Sequence, residues 1–226
     1  MSKINNNNEA AEKVEVGEAL TRTEKFLQTY KNQLVGGVIA LVVIVAGGLA
    51  YHHFISLPAQ QEAQAQTFTA EFYFRNGDFE KALNGDGNTL GFKQIISDYG
   101  TKAGESVYFY AGVCELQLGN YQNAIDYLKK YNSEDNITAA RALCNIGDSY
   151  VGLGNYKEAL GYFTKAADLS NDIFSAAYLL KAGLVSEELG DKVKAIECYT
   201  KIKEKYPQSI EGMDIDKYIC LLYTSP

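Results

Sequence analysis

At 226 residues the chain can hold one ordinary domain and further segments, and its 46% hydrophobic share supports a core. A net charge of −7 argues against nucleic acid as the main partner, because binding phosphates needs a basic surface. The only histidines are the adjacent His52 and His53, so the rest of the chain has no imidazole for base, ligand or switch chemistry.

The first predicted segment, residues 1–14, is polar and includes four consecutive asparagines, Asn5 to Asn8. It holds too little apolar area to offset the entropy of ordering, and reads as disordered. Val16, Ala19, Leu20, Phe26, Leu27 and Tyr30 then approximate a helical stripe. This is either an amphipathic lead-in to the next helix or a docking helix for a partner or the membrane surface.

From Leu34 to Tyr51 the chain carries no charge. Extended to Ile55, the run measures about 33 Å as a helix, against a hydrocarbon core of about 30 Å. This predicts a transmembrane helix in preference to a buried soluble one. A cleaved signal peptide fits poorly, since the leader is long and the apolar run exceeds the usual length. Arg22, Lys25 and Lys31 lie before the run, and the first basic residue after it is Arg75. The positive-inside rule then keeps the N-terminus in the cytoplasm and exports the remainder. Gly36/Ala40 and Ala46/Ala50 are small-residue pairs of the kind that pack membrane helices. His52 and His53 are expected at the interface as polar anchors.

Ser56-Leu57-Pro58 marks a boundary, with proline suited to a first helical turn. A helix is predicted from about Ala59 to Phe74 and another over Phe92–Tyr99. Between them Asn84–Gly91 forms a polar insertion. Asn84, Asp86 and Asn88 alternate like a calcium loop, but Thr89 and Ile95 occupy the places that need glycine and a bidentate glutamate.

The remaining chain is repetitive. Leu143, Ile146-Gly147 and Tyr150 form one helical face; Gly154-Asn155 breaks it; Ala159, Leu160, Phe163 and Ala166 form a second. Tyr73, Gly77, Phe79 and Ala82 echo that pattern. So do Ala111-Gly112, Gly119, Tyr121, Ala124 and Leu128, and then Ala182-Gly183, Gly190, Ala195, Tyr199 and Pro207. Glu115 and Ser186 stand where the third unit has Tyr150. Ala82, Ala124, Ala159 and Ala195 lie 42, 35 and 36 residues apart, the first interval lengthened by the insertion. The pattern resembles the tetratricopeptide repeat (TPR) family, whose period is about 34 residues. The resemblance covers residues 60–207 and implies an α-solenoid of about four helix pairs; with the apolar run before it, the expected fold is all-α, one N-terminal transmembrane helix followed by that solenoid.

The expected division is therefore a cytoplasmic tail (1–33), a membrane helix (34–55), repeats (58–207) and a capping helix (208–219) that covers the last repeat. Residues 220–226, CLLYTSP, do not suit a polar cap. They resemble a translated sequencing adapter and are expected not to be native.

The residues offer little chemistry. Cys114, Cys144 and Cys198 fall within repeats at no metal-like spacing, and free buried thiols are expected, with a Cys114–Cys144 bridge as the alternative. Glu134-Asp135 and Glu187-Glu188 are adjacent in sequence, so their side chains diverge. No metal, cofactor or enzymatic activity is expected.

The TPR resemblance implies a concave face formed by the first helix of each pair. Carried over, its positions are Phe109, Val113 and Leu116; Arg141, Cys144, Asp148 and Val151; and Leu180, Leu184, Glu187 and Glu188. The implied function is a protein-binding adaptor that takes an extended or helical apolar segment. The layout also resembles the ancillary subunit of the bacterial Sec translocon (YfgM type). That implies a bacterial inner-membrane protein with a periplasmic repeat domain, beside the translocon or envelope chaperones. A self-associating, homo-oligomeric scaffold without a client groove is the alternative.

Overall fold

A computed structural model describes residues 29–33 and 35–224. The tail expected to be disordered, most of the predicted amphipathic stripe, Leu34 and the last two residues lie outside the described residues. The chain divides into two units, residues 1–58 and 59–226.

The described part of the first unit is helical over residues 29–33 and 35–51, here α1, followed by a π-helical turn, His52–Ser56. The turn precedes Pro58, which has no N–H to give to Phe54 and so cannot continue the α-helical ladder. The stretch Thr29–Arg75 includes one helical window long and apolar enough to cross a membrane, and none of that window is buried within the chain.

The second unit is all-helical among its described residues. Its helices are α2 (Leu57–Arg75, beginning two residues before the unit does), α3 (Phe79–Asn84), α4 (Phe92–Tyr99), α5 (Ser106–Gln117), α6 (Tyr121–Leu128), α7 (Asn136–Gly152), α8 (Tyr156–Ser170), α9 (Ser175–Glu188), α10 (Lys192–Lys205) and α11 (Ile210–Thr224). The helices pack chiefly on their neighbours in sequence, as expected of stacked hairpins.

One turn is used four times. After α2, α5, α7 and α9 come Gly77, Gly119, Gly154 and Gly190, each at positive φ (79°, 80°, 73° and 74°). The next residue, Asp78, Asn120, Asn155 or Asp191, donates its N–H back to the carbonyl of Tyr73, Glu115, Tyr150 or Ser186, at 2.8–2.9 Å. Its own carbonyl then accepts from Ala82, Ala124, Ala159 or Ala195, opening the next helix. One helix is thereby capped and its partner nucleated within two residues, and only glycine takes the first position without strain.

A small residue in the first helix meets a large one in the second. A Cβ added at Gly112 would sit 2.6 Å from Leu128, and one at Gly147 2.6 Å from Phe163; at Gly183 it would overlap the Tyr199 ring. Ala82, Ala124, Ala159 and Ala195 are all fully buried. These contacts set the close approach that the sequence pattern encodes.

The insertion is closed by Asp86. Its carboxylate accepts from the Tyr73 hydroxyl (2.7 Å), the backbone N–H groups of Asn88 and Thr89 (2.9 and 2.8 Å) and the Thr89 hydroxyl (2.9 Å). These donors hold the acid well below the usual carboxylate range, the Tyr73 hydroxyl foremost.

Two details differ from the sequence reading. The last helix does not stop at Ile219 but continues to Thr224, with Leu222 buried. Ser209 starts this helix by accepting from Gly212 N–H at 2.9 Å. Glu115 is fully buried in tyrosine's place, paired with Lys93 of α4 at 2.9 Å and accepting from Asn120 at 2.8 Å. A buried carboxylate is tolerated there because its charge and lone pairs are met. Cys114, Cys144 and Cys198 are free and buried. Cys114 and Cys144 lie in separate apolar clusters.

Candidate functional site

The first helices of successive pairs line a cavity of about 480 Å³. Phe74 reaches it from α2. Ser106, Phe109, Tyr110 and Val113 come from α5, Thr138, Arg141 and Asn145 from α7, and Tyr131 from the segment between α6 and α7. Phe109, Tyr110 and Val113 fall within little more than one helical turn, so their side chains share one face. Arg141 and Asn145 are four residues apart and likewise neighbours on α7.

The apolar wall is a run of ring contacts. Phe74 meets Tyr110 edge-on at 4.9 Å between centroids, Tyr110 meets Phe109 at 6.0 Å, and Phe109 meets Tyr131 at 5.3 Å. Burial raises the Tyr110 phenol above its ordinary value. Thr138 is already engaged, with its N–H on the Asp135 carboxylate at 2.9 Å. Asn145 makes no side-chain hydrogen bond among the described residues. Arg141 is exposed and forms no ion pair among them, but its charge and a side-chain hydrogen bond act on the Tyr178 phenol, opposing the burial that raises it.

The structure gathers Phe109, Val113 and Arg141 of the expected concave set around this cavity and distributes the others elsewhere. Leu116 is half-buried outside the lining. Cys144 is a core residue, 5% exposed, because a small side chain at that position sinks between the helices. Burial pushes its thiol up to about 12, so it is neither groove surface nor nucleophile. Asp148 is spent on Lys181 of α9, with both carboxylate oxygens contacted at 2.7 and 2.6 Å. Val151 and Leu180 are partly buried against the core. Glu187 accepts from the Tyr199 hydroxyl. Leu184 is 42% exposed and Glu188 is also exposed, on α9.

Tyr110, Asn145 and Lys181 escaped the sequence reading. Each directly follows an expected position (Phe109, Cys144, Leu180), and a core-facing stripe wider than about 100° brings both members of such a pair to one side. Tyr131 carries no repeat signal, since it belongs to a connection. Phe74 belongs to the preceding pair.

Two tetratricopeptide repeat family models match the chain, one at residues 140–173, the other at 106–135 and 177–209. These ranges coincide with the pairs α7–α8, α5–α6 and α9–α10. The chain is 28% identical over 107 residues to the 43 kDa receptor-associated protein of the synapse from Gallus gallus, covering 38% of this chain and 26% of that protein. It is 36% identical over 61 residues to photosystem I assembly protein Ycf3 from Acaryochloris marina (strain MBIC 11017), covering 26% of this chain and 37% of that protein. The chain thus matches well under half the length of either relative. A crystal structure of the MamA protein superposes with a TM-score of 0.56 at 22% identity, over 73% of this chain and 81% of that one, a likeness of fold.

Proposed function

We propose that this chain, which carries tetratricopeptide repeats in an all-helical solenoid, is a membrane-anchored adaptor whose inner face holds segments of partner proteins. The observation that carries the reading is the aromatic-walled cavity on the first helices of consecutive pairs. Its volume falls within the range of about 300–1,000 Å³ typical of ligand sites. Stacked repeats present such concave surfaces to partners. One relative is named for assembly and another for association with a receptor, which fits a role in holding other proteins. The apolar window near the N-terminus supports the anchor, and the flanking charges support a repeat domain outside the cytoplasm. The resemblance of that layout to an ancillary translocon subunit supports a place beside the export machinery or envelope chaperones of a bacterial inner membrane.

The test is a photoreactive amino acid placed at Phe109, with a control at Glu158 on exposed α8, each illuminated in cells and followed by mass spectrometry. Adducts with another protein at Phe109 alone are expected. Equal adducts at both positions, or at Glu158 alone, would defeat the adaptor reading. Adducts only with a second copy of the chain would favour the self-associating scaffold.

A further inference from the structure

The helix that opens the repeat stack has two contrasting sides. Ala63, Thr67 and Ala70 of α2 are buried. On the opposite side of the same helix Gln61, Ala65, Phe68, Phe72 and Arg75 are exposed. Phe68 is 67% exposed and Phe72 56%. The end of a repeat stack needs a polar outer face, because no further repeat covers it. Among the described residues no repeat precedes α2, yet its outer side carries two phenyl rings.

The spacing of the exposed residues points to what covers them. They lie 4, 3, 4 and 3 residues apart, the interval of a seam that packs against another helix. Gln64 and Thr69, on the flanks, are uncharged. Glu71 is paired with Arg75 of its own helix at 2.9 Å. A strongly charged partner would therefore find no free ion along the rings. A second copy of the helix meets no like charge there and sets phenyl rings against phenyl rings. The Gln61 carboxamide both donates and accepts, so it can bond its own equivalent across a two-fold axis.

We propose that the outer side of α2 is a seam between two copies of this chain, running parallel. Four phenylalanines cover at most about 600–1,000 Å². A stable free-standing interface buries roughly 1,200–2,000 Å². The seam is thus a contact between copies already held in one bilayer, where tethering raises the effective concentration. Copies that enter the membrane from the same side present their α2 helices in the same direction. The seam rests on the reading of the chain as membrane-anchored, and is separate from the inner-face cavity.

The experiment uses the full chain in cell membranes, with Cys220→Ser removing an exposed thiol. Single cysteines are introduced by Ala65→Cys on the seam or Glu158→Cys on α8, and the membranes are treated with a short bis-maleimide. Ala65→Cys is expected to give at least about tenfold more linked dimer than Glu158→Cys. Adding Phe68→Glu and Phe72→Glu to the Ala65→Cys chain should lower that yield at least about tenfold. Both positions are exposed, so the melting curve should stay unchanged. Equal linkage at Glu158→Cys, or linkage that survives both glutamates, would overturn the seam. So would linkage of Ala65→Cys only to a co-expressed Phe72→Cys copy, since the helices would then run antiparallel. Absence of linkage in a chain that resists salt extraction would overturn the seam and leave the anchor standing. If salt releases the chain, the anchor fails; seam-specific dimer in the released fraction would keep the seam, and its absence there would bring down both.

Discussion

At the scale of single residues, neighbours in sequence carry opposite duties. Gly183 has no room for a side chain because the buried Tyr199 ring lies where its Cβ would be. Leu184, next to it, is 42% exposed. Gly183→Leu is expected to lower stability by about 1–3 kcal/mol or more, since overpacking forces the ring and both helices apart. Leu184→Glu should fall within about 0.5 kcal/mol of the parent. Thermal melts of the two variants settle the comparison, and equal losses would place Leu184 in the core. Glu115 offers a second test. Its carboxylate is fully buried, whereas the Lys93 side chain that meets it is 40% exposed. Lys93→Met leaves the charge with amide donors alone and should cost about 1–3 kcal/mol, less than a fully buried pair because water reaches the lysine. Lys93→Met combined with Glu115→Met should recover much of that loss in denaturant unfolding. A double variant as unstable as the sum of the single ones would show that the pair is not coupled. The small-to-large contacts were legible in the sequence, since Gly147 and Phe163 follow the repeat pattern. The Lys93–Glu115 pair was not, because it joins a residue after the insertion to one in the next repeat, and no local spacing encodes it.

At the scale of elements, the insertion behaves as a closed loop with one acid at its centre. Asp86 gathers donors from Tyr73, Asn88 and Thr89, and its folded-state pKa is depressed. A depressed carboxylate contributes stability that is fully present above its unfolded value of about 4 and is lost as the pH falls below it. The parent should therefore exceed Asp86→Asn in melting temperature near neutrality, and the gap should close steadily below about pH 4. A gap that stays constant down to strongly acid pH would mean that the ionised form is not what the loop recognises. The position of this insertion was legible because it lengthens one repeat interval. Its internal bonding was not, since turns of Asn, Asp and Gly close in many ways. The groove was read in the same partial fashion. Repeat positions led to Phe109, Val113 and Arg141, whereas Tyr131 comes from a connection whose path only the folded chain shows, and Cys144 was misplaced because a small side chain at a concave position can sink into the packing.

At the scale of the whole molecule, the two units differ in how their apolar area is met. Among the described residues the three apolar clusters are built from residues after Pro58, with Ala63 the earliest core member. The apolar window of the first unit has no buried share within the chain. Among the described residues the repeat cores draw on the second unit, whose stacked repeats bury their apolar faces against one another. Residues 59–224 expressed alone should give a helical circular dichroism spectrum and a cooperative melt. The same fragment should remain in the supernatant after high-speed centrifugation of cell extracts, whereas the full chain should sediment with membranes and be released by detergent rather than by salt. Release by salt would identify a charged surface attachment in place of an apolar one. If the fragment sediments as the full chain does, the repeats themselves hold the membrane or a membrane partner, and the role assigned to Leu34–Ile55 fails. If the fragment is soluble but shows coil or strand, the cores drawn here are wrong, and with them the cavity that they position.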